Sequence, residues 1–239
     1  MPSSTIRRSP QKSPVVRPGM GDGNPYSFAY GLNFYKLVWI FAIGCFLGWF
    51  VETVFCFVRT GTIECRQGVI YGPFIPIYGM GALLFTVSLY RYRNRSHIVI
   101  FLASSIIGAV FEYVCSWVQE KVFGTVSWEY SESALNLHGR TNLYFAVCWG
   151  VLGLAFITRI LPFLTRFIEQ IPNRIGIWLT WIFIGFMVLD LAISAIAVKR
   201  QDLRRDGVPA SNAFWQFIDE HYNDEYLKRV FPNMEPVEG

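Results

Sequence analysis

Residues 34–58 read FYKLVWIFAIGCFLGWFVETVFCFV, a stretch with one lysine, one glutamate and otherwise almost nothing that prefers water. At 1.5 Å of rise per residue such a helix is long enough to cross a hydrocarbon core of about 30 Å. Four more apolar segments follow, over residues 75–90, 98–118, 142–164 and 175–198. The pattern predicts an all-α, polytopic transmembrane bundle of about five spans. Composition agrees: of 239 residues, 53% are hydrophobic and only 16% charged, and the mean hydropathy is positive. This excludes a disordered chain, a coiled coil, a disulfide scaffold and an ordinary soluble enzyme.

Three regions result. Residues 1–33, rich in Ser, Pro, Gly and Arg, read as a disordered N-terminal tail without the apolar core of a signal peptide. Residues 34–198 form the bundle, and 199–239 a polar tail. Within that tail Phe214, Ile218, Tyr222, Tyr226 and Val230 recur every fourth residue, which predicts one amphipathic helix over 211–231, on the bilayer, over a polar mouth or docked on the bundle. Before the second span, residues 68–75 are apolar but broken by Gly68, Gly72 and Pro73, and Pro76 suits a first helical turn. This reads as an extended or re-entrant stretch, which survives at membrane depth only inside protein or along a cavity.

The net charge of +4 is too mild and scattered for nucleic acid, and the basic residues read as topology signals. The 21 Lys and Arg residues split almost evenly between the two faces, and the short 91–95 loop favours a cytoplasmic N-terminus. The expected location is the cell membrane. Five cysteines without ligand spacing indicate no metal site, and no cofactor is implied. No Walker A sequence occurs, so any ATPase is a separate subunit.

Three acids lie inside spans: Glu52, Glu112 and Asp190. An unpartnered charge at the bilayer centre costs at least about 2.5–3.5 kcal/mol, so each needs a partner or water. Spans one, three and five cross in the same direction, and each carries its acid roughly 6 to 8 residues, or about 9–12 Å, before the exit. All three therefore approach one surface. Gly48-x-x-x-Glu52 and Gly108-x-x-x-Glu112 read as a weak parallel repeat. The same surface receives Arg66 and the loop with Trp128, Glu129, Tyr130, Asn136, His138 and Arg140. Arg66 and Arg140 are the expected counter-ions of Glu52 and Glu112. Glu52, Arg66, Glu112, Trp128, Tyr130, Asn136, Arg140 and Asp190 are thus the candidate substrate-binding residues. His138 beside Glu129 is a weaker candidate base, since no nucleophile elbow accompanies it. Trp128, Trp149, Tyr130 and Tyr144 also fit an interfacial aromatic belt.

These same residues carry a family resemblance. GVIYGPFIPIYGMG at residues 68–81, WEYS at 128–131, NLHGR at 136–140 and Trp149-Gly150 appear in the order found in the bacterial family labelled "putative ABC-transporter type IV permease". The resemblance covers residues 35–235 and includes Glu52, Glu112, Asp190 and the closing Phe231-Pro232-Asn233-Met234. Where the family usually has Arg directly before the first of these glycines, this chain has Gln67, with Arg66 one place earlier. The resemblance implies a multispan membrane protein, provisionally a permease, with a separate ATPase partner and no assigned substrate. Three functions remain open: a permease with a substrate or proton site, an intramembrane enzyme acting on lipid head groups, and a scaffold held by structural ion pairs.

Overall fold

The computed structural model describes residues 24–62 and 66–236. Seven helices make up nearly all of the regular structure there. They are α1 (Phe34–Thr60), α2 (Pro76–Leu89), α3 (His97–Phe123), α4 (Leu143–Glu169), α5 (Asn173–Arg205), α6 (Ala213–His221) and α7 (Asp224–Val230). Four of them, α1, α3, α4 and α5, are long and apolar enough to cross a membrane. The second segment is different: α2 has 14 residues, about 21 Å, and spans only half to two thirds of a bilayer by itself.

Local chemistry sets the helix ends. Asn33, Ser96 and Asn142 cap α1, α3 and α4 by accepting from the amides of Lys36, Val99 and Phe145. Gly61 and Gly124 close α1 and α3 in the left-handed conformation, which an L side chain resists. Inside α4 the turn Phe156–Ile160 widens to a π-helix. Pro162 explains it: it has no amide for the Thr158 carbonyl, and its ring crowds that carbonyl, so the preceding turn loosens.

Helices pair as antiparallel hairpins, α1 with α2 and α3 with α4. Residues 24–33, read as part of a tail, are docked: Phe28 and Ala29 are buried in the main core, and the Phe28 amide donates to Asn173 at 2.7 Å. Residues 1–23 lie outside the described residues. Lys36 at the start of α1 and Glu169 at the end of α4 form a buried ion pair, and the Asn24 amide donates to the same carboxylate.

At the opposite end, the C-terminal region folds back on α5. The expected single helix is two, because Asn223 adopts an extended conformation and caps a new helix by accepting from the Tyr226 amide. Ile218, Tyr222 and Leu227 pack with Ile70 and Ala197. Arg200 grips Asp219 with two bonds of 2.9 and 2.8 Å, and Arg204 bridges Asp219 and Asp224. A two-residue strand, β1 (Thr125–Val126), pairs with β4 (Glu235–Pro236), tying the chain end to the loop after α3.

The bond from Arg200, reinforced by Arg204, holds the Asp219 carboxyl below the ordinary carboxylate range, against an opposing push from burial. A lowered folded-state value stabilises docking above the unfolded value of about 3.9, and that stabilisation is lost as pH falls through the folded value. The tail should therefore stay docked at pH 7 and loosen only in acid. Asp219→Asn should release it at neutral pH, read as faster tryptic cleavage at Lys228 and Arg229 with the bundle intact. Unchanged cleavage in that variant would show that Leu227 and Tyr222 hold the tail unaided.

Candidate functional site

The helix pairings place α2 and α4 deep. Tyr78 packs on Gly48, so α2 begins roughly 15 Å below the end of α1. Trp149 packs on Gly108, so α4 begins roughly 13 Å below the end of α3. The connecting residues 66–75 and 124–142 therefore descend to the depth of the acids. Irregular backbone at such depth needs internal partners. For the first segment, Ile75 N donates to Cys45 O at 3.0 Å, Ile70 N to Ser194 Oγ at 2.9 Å, and Tyr71 N to Asp190 Oδ1 at 3.0 Å.

Two of the three acids come together. The Tyr78 hydroxyl donates to Glu52 Oε1 at 2.6 Å, and Arg66 lies 3.8 Å from Glu52 Oε2. The Tyr130 hydroxyl donates to Glu112 Oε1 at 3.2 Å, and the buried Thr141 hydroxyl to Oε2 at 2.7 Å. Tyr78 and Tyr130 are each within electrostatic reach of both carboxylates, so Glu52, Tyr78, Tyr130 and Glu112 form one cluster. Tyr130 stacks on Phe145 with ring centroids 4.7 Å apart. Burial and the Glu112 charge push its hydroxyl up from the ordinary tyrosine value, which keeps it a donor.

Asp190 belongs elsewhere. It is 2% exposed, and it accepts from Tyr71 N and, weakly, from the Ser194 hydroxyl. Its electrostatic neighbours are Tyr222 and Tyr226 of the docked tail, and the Tyr222 hydroxyl meets that of Tyr71 at 2.8 Å. Burial, followed by the bond to Tyr71, pushes the Tyr222 hydroxyl up to about 12. Asp190 thus anchors the irregular segment rather than joining the two glutamates.

The expected pairing of Arg140 with Glu112 does not form. Arg140 pairs with Glu120, two turns further along α3, and reaches Ser116 Oγ at 3.4 Å. Trp128 and Asn136 shape the loop: Trp128 Nε1 donates to Arg140 O at 3.0 Å, and the Asn136 amide donates to Ser131 O and Ser133 O while accepting from Gly139 N. The short pairing of β2 (Asn136–Leu137) with β3 (Thr141–Asn142) turns at His138-Gly139, both with positive φ. His138 meets the Tyr113 hydroxyl at 3.0 Å, whereas Glu129 accepts from Ser131, so the two make no dyad. An open groove of about 350 Å³ lies beside the cluster, between Ala109, Leu135, Leu137 and Leu143, with Thr141 in its wall.

Tyr78, Thr141, Phe145 and Trp149 were not among the expected site residues. Tyr78 lies inside the quoted glycine-rich motif, and Trp149 read as belt; Tyr144, 71% exposed, does suit a belt. Among the described residues no group of three or more His, Cys, Asp or Glu side chains has metal-binding geometry.

Four long apolar helices, a half-length fifth and a polar cluster between two hairpins define a multi-pass α-helical membrane protein in contact with a lipid bilayer. The chain belongs to the family described as "Putative ABC-transporter type IV", which matches residues 39–195. No curated protein and no solved structure matches it.

Proposed function

We propose that this protein is a permease-type component of the cell membrane whose Glu52–Tyr78–Tyr130–Glu112 cluster receives a polar or charged substrate group or a coupling proton, with a separate ATPase subunit as its partner. The observation that carries this reading is that two intramembrane carboxylates from different hairpins each accept from a tyrosine hydroxyl, and each tyrosine lies within electrostatic reach of both. Glu52 has a guanidinium beside it, whereas the bonds to Glu112 come from Tyr130 and Thr141. A carboxylate held by neutral donors can exchange a proton without first breaking an ion pair. Tyrosine hydroxyls standing near both acids supply a relay between them.

The test uses proteoliposomes with an entrapped pH-sensitive dye and an imposed membrane potential. Wild type should acidify the lumen faster than empty liposomes, and Glu112→Gln should slow this by at least about tenfold, or 1.4 kcal/mol in barrier height. Glu52→Gln should slow it as well. Equal rates in all three proteins, with normal insertion, would reject the permease reading and leave either a scaffold or a cluster that handles lipid head groups.

The groove walled by Thr141 favours one second reading, in which the cluster handles the head group of a lipid. Under that reading the same two substitutions change the lipid composition of the host membrane and leave proton movement unaltered.

A further inference from the structure

The packing of the first hairpin recurs in the second. Gly48 of α1 lies against the ring base of Tyr78 in α2, and Gly108 of α3 against that of Trp149 in α4. The residue after each ring is glycine: Gly79 presses on Phe41 and Cys45, and Gly150 on Phe101 and Ser105. Gly44 meets Ala82, and Ser104 meets Gly153. Two sequence shifts account for all of these contacts. Positions 41, 44, 45 and 48 map to 101, 104, 105 and 108, and positions 78, 79 and 82 map to 149, 150 and 153. Glu52 and Glu112 obey the first shift, as do the fully buried Ile40 and Ile100 and the buried Cys56 and Ser116. Phe85 and Phe156 obey the second, and their ring centroids lie 6.3 Å apart. A residue touches its own counterpart only near the axis that relates the two copies.

We infer that α1–α2 and α3–α4 are two copies of one helix–loop–helix unit about an approximate two-fold axis, in which Tyr78 and Trp149 are equivalent positioning residues for Glu52 and Glu112. In each copy the missing Cβ of a glycine admits an aromatic ring from the partner helix, and a Cβ there would run into that ring. In the first copy the hydroxyl of that ring reaches the carboxylate four residues on, one helical turn away, and in the second the Trp149 ring stands in the same place relative to Glu112. The copies have diverged in what surrounds that acid: Arg66 stands at Glu52, and Tyr130 and Thr141 at Glu112. The longer second connection supplies the two neutral donors.

The test needs no transport substrate, so failure of the proton-flux reading leaves it intact. Infrared difference spectra between acid and neutral pH are recorded on the full-length protein in nanodiscs. The carboxyl bands are assigned by their loss in Glu52→Gln and Glu112→Gln. Equivalence predicts that Trp149→Phe displaces the Glu112 band, whereas Trp149→Tyr retains it by supplying the hydroxyl that Tyr78 supplies in the first copy. Tyr78→Phe should displace the Glu52 band. A merely structural ring would leave both bands in place in the phenylalanine variants. Tyrosine and phenylalanine acting alike at 149 overturns the inference. Should Trp149→Phe fail to fold, Gly48→Ala and Gly108→Ala decide: matching drops in melting temperature support two equivalent copies, and tolerance at one site alone overturns them.

Discussion

Lys36→Met should lower the unfolding free energy of the detergent-solubilised protein by about 3–5 kcal/mol, the usual effect of removing one partner from a buried ion pair. Lys36 and Glu169 have side chains only 4% and 6% exposed, so the remaining carboxylate would have neither water nor a cation. Its other bond, from the Asn24 amide, cannot neutralise it. Glu169→Gln should also destabilise, since Lys36 and Asn24 donate to different carboxylate oxygens and the carboxamide keeps only one acceptor. The double variant Lys36→Met with Glu169→Leu should recover most of the loss, because apolar residues of similar volume avoid desolvating two charges. Denaturant titration of wild type, Lys36→Met, Glu169→Leu and the double variant gives the coupling. An additive double variant would show that the two residues act separately. The consequence reaches beyond stability: this pair joins the start of the first hairpin to the end of the second, on the side of the bundle opposite the glutamate cluster.

The difference between what was legible in the sequence and what was not has a physical pattern. Spans are legible because lipid demands continuous apolar length, and Pro76 marks the start of α2 because proline suits only a first turn. The pairing of Glu52 with Arg66 is legible because both sit near the end of one helix and the loop that leaves it. The partner of Arg140 is not. Glu112, Ser116 and Glu120 share one face of α3, and only the depth of the 128–140 loop, set by Trp149 on Gly108, selects Glu120. Lys36 and Glu169 are 133 residues apart, so nothing local pairs them. The positions of Tyr78 and Trp149 beside the acids are not legible, because an aromatic residue in an apolar helix carries no mark of the glycine it will meet. The repeat was faintly visible in two Gly-x-x-x-Glu motifs; the facing half of each unit appears only once the helices are paired.

Asp190→Leu should free the irregular segment before α2. The bond from the Tyr71 amide to a buried carboxylate is worth about 1.5–3 kcal/mol, so amide exchange at Tyr71 should rise roughly 10- to 100-fold. Ile70 should follow, since the Ser194 hydroxyl that accepts from it is itself oriented by Asp190. Asp190→Asn makes the informative contrast. Only Oδ1 of Asp190 takes part in these bonds, and Oδ2 has no hydrogen-bond partner among the described residues. Asparagine keeps the oxygen that matters and discards the charge, so exchange at Tyr71 should rise much less than with leucine. If asparagine loosens the segment as leucine does, Asp190 acts through its charge and the anchor assignment is wrong. If it does not, the depth at which α2 begins, and with it the reach of Tyr78 to Glu52, rests on one carbonyl-type acceptor in α5 rather than on a third acid of the site.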